Sequence, residues 1–197
     1  METAIGEKMA IQRRSGSDSN DMKPHTYRLF LVRARSRSTV RGSLSIASLV
    51  LPCALGRSGR AARKHEGDGA TPSGTWRPEL VLYRADRVQR PTTTLPIRGI
   101  KADDGWCDAI GDRNYNRWVR HPYPASAERL WRADHLYDVV VVLNHNKRPR
   151  VQGVGSAIFM HLARPGYRPT EGCVALTRPH LLLALARMGR STRIVID

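Results

Sequence analysis

Hydrophobic residues after about position 26 form short runs separated by glycine and polar stretches, a pattern typical of β-strands. The strongest run, 137–143, is rich in valine and long enough to be a central strand. Further strands are predicted at 28–33, 44–51, 80–85, 157–162 and 192–196. One late helix is predicted over 178–188, with Thr177 as its cap, Pro179 in its first turn and Gly189 beyond its end. The pattern therefore predicts a mainly-β sandwich or closed sheet with one late helix.

Three stretches lack such runs. Residues 1–25 are polar and aperiodic, which predicts a disordered N-terminal tail. Glycines punctuate a long loop over 56–74. Residues 101–135 are irregular and rich in Asp, Arg, Asn, Trp and Tyr, which indicates a long functional loop. Within it, 112–118 and 126–131 are expected either to wall or cover a cleft or simply to pack over the core, and no specific contact is predicted there.

Length and composition are those of one globular unit, so residues 26–197 are predicted to form a single domain. The net charge of +16 comes mainly from arginine and favours polyanionic partners such as nucleic acid, anionic membrane or cell-wall carboxylates and phosphates. Arginine-rich solvated faces would explain the same charge. No window approaches the ~20 apolar residues of a membrane span. No secretory signal pattern opens the chain.

Cysteine and histidine spacing sets limits on disulfides and metals. Three cysteines are too few for a disulfide scaffold, although Cys53 and Cys107 could pair or remain lone buried thiols. The candidates for a zinc site are His135, His145, His161 and Cys173. Their spacing fits no Cys/His ligand signature, and no phosphate-binding glycine loop is present. We therefore predict neither a metal nor a cofactor.

A histidine and a cysteine near the carboxyl end suggest nucleophilic chemistry. His161 closes one apolar run, and Cys173 follows Gly172 and opens another. Two strands joined by a loop would bring imidazole beside thiol, where the histidine lowers the thiol's pKa and shuttles protons. We predict Cys173 as nucleophile and His161 as general base and acid. Gly172 lets substrate approach closely, and the amides of Gly172 and Cys173 are expected to face the oxyanion.

Two motifs carry a family resemblance. Segment 170–174 reads Thr-Glu-Gly-Cys-Val, and segment 67–74 reads Gly-Asp-Gly-Ala-Thr-Pro-Ser-Gly. Together, in this order, they resemble the L,D-transpeptidase catalytic-domain family, cysteine enzymes of bacterial cell-wall peptidoglycan. Three features depart from the family pattern. Glu171 stands where a histidine is usual, Ala175 stands where an arginine is frequent, and the His-to-Cys separation of 173 − 161 = 12 positions is short.

The resemblance implies a β-sandwich fold with small helices and long irregular loops. It also implies a location in the periplasm or cell envelope and an action on peptidoglycan stem peptides. We expect the protein to be a monomer. Cys173 would form a thioester with a stem peptide, and transfer to an amine would cross-link stems or exchange the terminal D-residue. Transfer to water would make the site an L,D-carboxypeptidase. The backbone carbonyl of Leu162 would orient His161.

Further residues near the proposed cleft are expected to have supporting roles. Thr170 would touch substrate or hold its loop. Arg168, with Arg164, would bind stem-peptide carboxylates or simply be solvated. Asp68 is expected to fix its turn through side-chain-to-backbone hydrogen bonds.

A non-catalytic basic module that binds cell-wall polymer or nucleic acid is the alternative. Nucleic-acid binding is disfavoured because the basic residues are scattered and only 6% of residues are aromatic.

Overall fold

The computed structural model describes residues 26–197, and the predicted tail at 1–25 lies outside the described residues. The strands are β1 (Leu29–Arg33), β2 (Arg41–Ile46), β3 (Leu49–Ala54), β4 (Arg60–Ala61), β5 (Thr71–Pro72), β6 (Gly74–Trp76), β7 (Pro78–Tyr83), β8 (Ile97–Gly99), β9 (Asp104–Cys107), β10 (Trp118–Arg120), β11 (Ala127–Arg129), β12 (Val139–Leu143), β13 (Phe159–Leu162), β14 (Val174–Leu176) and β15 (Arg193–Ile196). The helix α1 spans Arg178–Leu185, and a short 3₁₀ turn spans Pro165–Tyr167.

One large mixed sheet dominates the fold. Its ten strands run in the order β6-β15-β1-β2-β3-β14-β13-β12-β7-β8. The sheet curls, so that Phe30 on β1 and Val81 on β7 pack in the same core although their strands are far apart in the sheet. A three-stranded sheet, β10-β9-β11, and the β4-β5 pair complete the strands. The predicted mainly-β class with one late helix is confirmed.

The two faces of the central strands bury different partners. In β12, Val139 and Val141 join the core that lies under α1, whereas Val140 and Val142 face the opposite way. Trp106 of the small sheet packs on this second face. Because successive strand residues point to opposite sides, a strand covered on both faces must be apolar throughout. This explains the uninterrupted valine run, and the predicted central position of β12 is confirmed.

Several predicted boundaries change. The single strand predicted over 44–51 is wrong, because the chain reverses after Ile46, and Leu49 of β3 pairs back with Ile46. Ala47 adopts φ 51° in this turn, a backbone conformation that is uncommon for alanine and therefore not predicted from the sequence. The region 101–135 is not only loop, since it contains β9, β10 and β11.

The helix and the cysteines also refine the sequence predictions. α1 ends at Leu185 rather than at 188, and Thr177 occupies the N-cap position without a side-chain capping bond. Cys53, Cys107 and Cys173 are all free and buried, so the alternative of a Cys53–Cys107 disulfide is not realised. Across residues 26–197, no helix has the length and apolarity needed to cross a bilayer.

A buried carboxylate joins the helix to the sheet. Asp138, at the start of β12, is fully buried. It accepts hydrogen bonds from Arg178 at 2.7 Å, from His135 at 2.8 Å and from Arg87 at 3.1 Å. Arg178 is the first residue of α1, so this cluster fixes the helix against the strand that leads to the site. Charge-assisted hydrogen bonds of this kind exceed neutral ones in strength.

We expect Asp138→Ala to lower the free energy of unfolding by about 2 kcal/mol, because it removes the acceptor of several charged donors. Urea denaturation would measure the loss. Asp103→Ala is the matched control, since Asp103 pairs with Arg120 at 3.4 Å where both side chains are solvent-exposed. That surface pair should contribute no more than about 1 kcal/mol. Equal losses for the two variants would contradict the role assigned to Asp138.

Candidate active site

The pairing of β13 with β14 places His161 and Cys173 on one side of the sheet. These strands are parallel, with Met160 beside Val174 and His161 beside Ala175. Cys173 immediately precedes β14, and its sulfur accepts a hydrogen bond from the Phe159 amide at 3.4 Å. Phe159 and His161 share a face because they are two residues apart. The two groups that the sequence pairs therefore lie on the face covered by the small sheet.

Both side chains line one cavity of about 540 Å³, a volume typical of ligand sites. His161 and Cys173 are 6% and 8% exposed, so each is deeply set but reaches the cavity. The 163–170 segment forms one wall and residues from the 101–137 region form another, and residues of 64–67 and 156–158 complete the lining. The cavity is thus bounded by the loop that joins the two strands and by the small-sheet region.

The His161 ring is held by its own strand end. Its Nδ1 lies 2.9 Å from the Leu162 carbonyl oxygen, the contact that the resemblance implies. A carbonyl can only accept, so Nδ1 carries the proton and Nε2 is left as the acceptor. Burial lowers the pKa of His161 to about 4, although the Leu162 hydrogen bond opposes this shift and nearby Arg164 adds to it. The imidazole is therefore neutral near pH 7 and able to accept a proton.

The Cys173 thiol is protonated at rest. It donates to the Ala157 carbonyl oxygen at 3.3 Å, so its proton is not directed at His161. Burial raises the pKa of Cys173 to about 12, and the charge of Glu128 raises it further, whereas the Phe159 amide opposes the shift. The expectation that the histidine would lower this pKa is wrong, because the neutral imidazole brings no positive charge and desolvation dominates.

The residues before the cysteine form a tight, self-bonded loop. The Thr170 hydroxyl donates to the Cys173 carbonyl oxygen at 2.7 Å and accepts from the Gly172 amide at 3.1 Å. The Gly172 amide is therefore turned into the loop rather than toward the cavity, in contrast to the predicted oxyanion contact. Thr170 is 6% exposed, and its hydroxyl is occupied within the loop. Of the two roles considered for Thr170, the contacts match that of holding the loop.

The second motif packs against this loop. Asp68 accepts hydrogen bonds from the His65 and Ala70 amides, both at 2.8 Å, and pairs with Lys64. The predicted turn-fixing role of Asp68 is thereby confirmed. Gly172 has φ +135°, and a Cβ there would lie 2.9 Å from the Ala70 carbonyl oxygen. The glycine lets the two motifs meet, which gives a physical reason for their joint occurrence.

Arginines occupy the rim of the cavity. Arg164 and Arg168 both line it and are exposed. Neither guanidinium makes a hydrogen bond or ion pair within the described part of the chain. Of the residues at the departures from the family pattern, Glu171 also lines the cavity, and its exposed carboxylate pairs with Arg57 at 2.7 Å. Ala175 is buried beside Ala54 and does not line it.

Asn116 supports the cavity from the small-sheet side, although it does not line it. Its side-chain oxygen accepts from the Trp106 indole at 3.0 Å and from the Ala157 amide at 3.2 Å, and its side-chain nitrogen donates to the Asn146 carbonyl at 2.8 Å. Ala157 is the residue whose carbonyl oxygen accepts the hydrogen bond from the Cys173 thiol. Asn116 therefore positions a contact of the thiol, and the expectation that 112–118 forms a wall is replaced by a supporting role.

The sequence did not single out Glu128 and Tyr137. Both line the cavity, and the Tyr137 hydroxyl donates to the Glu128 carboxylate at 2.6 Å. The Tyr137 ring also packs edge-on against the His161 ring, with centroids 5.3 Å apart. Only the general expectation that 126–131 contributes a wall pointed to this region. Among the described residues, no three His, Cys, Asp or Glu side chains are grouped as metal ligands.

We expect Gly172→Ala to cost more stability than a glycine substitution with open space around it. The added methyl group would meet the Ala70 carbonyl and also occupy a positive φ, and such strain costs about 1–3 kcal/mol. Gly111→Ala is the control, because Gly111 has φ +90° but no atom within 4 Å of the new Cβ. Urea unfolding of both variants would separate the clash from the φ strain. Equal costs would mean that the two motifs do not press against each other.

We expect alkylation of Cys173 by iodoacetamide to accelerate about tenfold per pH unit up to at least about pH 10, because only the thiolate reacts. The raised pKa of about 12 excludes a plateau near neutrality. Peptide mass mapping would assign the label among the three cysteines, and Cys173→Ala would identify background from Cys53 and Cys107. A rate that levels off below about pH 8 would instead indicate a preformed thiolate.

Comparison with known proteins agrees with this geometry. Residues 26–196 match the family model of the L,D-transpeptidase catalytic domain. No curated protein and no solved structure matches the chain. The family match spans nearly the whole chain and includes every residue of the cavity. The chain therefore belongs to the L,D-transpeptidase catalytic-domain family.

Proposed function

We propose that this protein is a cysteine acyltransferase that forms L,D cross-links, or exchanges the terminal D-residue, on peptidoglycan stem peptides. Family membership supports the reaction class and the polymer. The observation that carries the residue assignment is the shared cavity, in which a thiol and a neutral imidazole lie on one face of the sheet. Cys173 is the nucleophile and His161 the general base and acid.

Acylation begins with a proton transfer that accompanies the attack. Nε2 of His161 takes the thiol proton as Sγ of Cys173 bonds to the carbonyl carbon of the third stem residue. The bond to the terminal D-residue breaks, and His161 returns the proton to the leaving amine. Because burial raises the pKa of the thiol and lowers that of the imidazole, a preformed ion pair is disfavoured, and we assign proton transfer and attack to one step.

One rearrangement precedes this step. The thiol must leave the Ala157 carbonyl and turn toward His161, which substrate would promote by occupying the cavity. Catalytic hydrogen bonds commonly tighten only in the substrate complex. We assign the oxyanion contact to the amide of Cys173, since the Gly172 amide is held by Thr170. One preorganised donor contributes about 10²–10³ in rate.

Substrate carboxylates belong at the arginine rim. Arg168 and Arg164 offer unpaired guanidiniums at the mouth of the cavity, and guanidinium binds carboxylate in a two-pronged geometry. We assign Arg168 to the carboxylates of the stem peptide. Thr170 keeps the nucleophile loop in shape through its two hydrogen bonds and acts on substrate only through that loop.

The fate of the thioester separates the related activities. Attack by an amine of a neighbouring stem or of a free D-amino acid gives the transferase products. Attack by water gives an L,D-carboxypeptidase. The non-catalytic binding alternative is less well supported, because several arginines are paired with aspartates rather than aligned as a basic surface. Those pairs are Arg84–Asp86, Arg132–Asp134 and Arg178–Asp138.

We expect a carbapenem, which acylates catalytic thiols, to form one covalent adduct per protein molecule, measured by intact-protein mass spectrometry. Cys173→Ala should abolish the adduct, and Cys107→Ala should retain it. His161→Ala should slow release of the terminal D-residue from a tetrapeptide stem by about 10²- to 10⁴-fold, because the general base is lost. His180→Ala, a histidine of α1 outside the cavity, is the control.

Two results would reject the assignment. One is normal stem-peptide processing by Cys173→Ala. The other is an unchanged rate in His161→Ala with a folded protein, which would show that the base has been misassigned. Urea unfolding of each variant distinguishes loss of chemistry from loss of fold.

A further inference from the structure

The cavity that the two rim arginines line also contains a carboxylate with a free hydrogen-bond acceptor. Glu128 belongs to β11, which pairs with β9 of the small sheet and brings Glu128 beside Trp106. Trp106 packs edge-on against Phe159, the residue whose amide contacts the Cys173 sulfur. A short path of contacts thus joins the carboxylate-bearing strand to the nucleophile.

Tyr137 completes this connection. Its hydroxyl donates to Oε1 of Glu128 at 2.6 Å, and its ring lies against both His161 and Phe159, with centroid distances of 5.3 and 6.0 Å. Within residues 26–197, Tyr137 is the only hydrogen-bond donor to this carboxyl group, so Oε2 is left without a partner. The nearby Arg132 directs its guanidinium to Asp134 instead, at 2.7 Å.

Glu128 is half-buried, and its free Oε2 is not sealed from solvent, so this oxygen is open to a ligand in the cavity. Burial raises the pKa of Glu128, and the charges of Asp108 and Glu66 raise it further, while Tyr137 and Arg132 oppose the shift. Oδ1 of Asp108 is itself buried without a hydrogen-bond partner, and Asp108 lines the same cavity. A bound ammonium group would supply hydrogen-bond donors that Oε2 of Glu128 and Oδ1 of Asp108 lack.

Charged side chains of both signs line the cavity. Arg164 and Arg168 provide unpaired positive charge from the strand-connecting loop, and Glu128 and Asp108 provide negative charge from the 101–137 region. Glu171 and Arg132 also line it, but they are paired with Arg57 and Asp134. Cys173 lines the same cavity. A donor that presents a carboxylate and an acceptor that presents an ammonium would each meet the complementary charge.

We propose that Glu128, held by Tyr137, binds the ammonium group of the acyl acceptor and takes its proton, so that it acts as the base of the second half-reaction. The substrate class is a primary amine, such as a free D-amino acid or the side-chain amine of a neighbouring stem. This inference rests on the proposed function, because it concerns the thioester that Cys173 forms.

The proton balance of this step is complete. The ammonium gives one proton to the Glu128 carboxylate, and the resulting amine attacks the thioester carbonyl carbon. A carbon–nitrogen bond forms, the carbon–sulfur bond breaks, and the nitrogen's second proton passes through His161 to the leaving thiolate. The products are an amide, the Cys173 thiol and protonated Glu128, which then releases its proton to solvent. Water needs no positive charge to be neutralised, so Glu128 favours amines over water.

The test uses the tetrapeptide L-Ala-D-Glu-meso-diaminopimelate-D-Ala as donor and D-methionine as acceptor. Mass spectrometry would count exchanged tetrapeptide against hydrolysed tripeptide and would follow the protein thioester. We expect Glu128→Gln to form the thioester within a few-fold of the wild-type rate. Its exchange-to-hydrolysis ratio should fall by about 10²- to 10⁴-fold, the range of general-base catalysis. Glu79→Gln is the matched control, since Glu79 pairs with Lys147 outside the cavity.

A pH series separates proton transfer from a structural role. The defect of Glu128→Gln should shrink as pH rises toward the pKa of the acceptor amine, because the amine then arrives already deprotonated. A merely structural defect would persist at all pH values and would also slow thioester formation. Tyr137→Phe should reduce the exchange ratio in the same direction, and it decides the matter if Glu128→Gln fails to fold.

The outcomes distinguish the two proposals. An unchanged exchange ratio in Glu128→Gln would overturn the role of Glu128 while leaving the thioester chemistry intact. Loss of hydrolysis rather than exchange in that variant would identify Glu128 as a base for water and would also overturn it. Absence of any thioester in the wild-type protein would reject the proposed function itself.

Discussion

The parallel pairing of β13 with β14 is the constraint on which the site depends. It sets Met160 beside Val174, and the two-residue periodicity of strands then sends His161 and Cys173 to the same face. A register slip of one residue would turn either side chain into the apolar core beneath α1. Met160 and Val174, both fully buried in that core, hold the register against such a slip.

The two faces of this sheet divide stability from chemistry. The inner face is a continuous apolar core, and Asp138 ties the helix to it. The small sheet packs over the outer face, and the cavity lies beside this contact. The same desolvation raises the pKa of Cys173 and Glu128 and lowers that of His161. Burial thus keeps the thiol and the imidazole neutral at rest, and it makes the Glu128 carboxylate a stronger base.

The charged residues that line the cavity can orient a substrate. The unpaired arginines, Arg164 and Arg168, come from the loop that connects the two strands, and Glu128 and Asp108 come from the 101–137 region. Asn116 and Tyr137 link this region to the strand residues around Cys173. A substrate with one charge of each sign would be oriented by these residues before it reached the sulfur, since orientation of reactants is a main source of rate enhancement.

The sequence alone was sufficient for features that depend on local pattern. The valine run of β12, the single late helix and the turn made by Asp68 follow from residue spacing and short-range hydrogen bonds. It could not show the hairpin after Ile46, because Ala47 is not a typical turn residue. It also could not show that the Thr170 hydroxyl accepts a hydrogen bond from the Gly172 amide. Tertiary structure alone decided that Glu128 and Tyr137 meet His161 in one cavity. The reason is physical. β11 pairs with β9, and β9 packs on β13, so the position of Glu128 relative to His161 depends on contacts between segments that are far apart in the sequence.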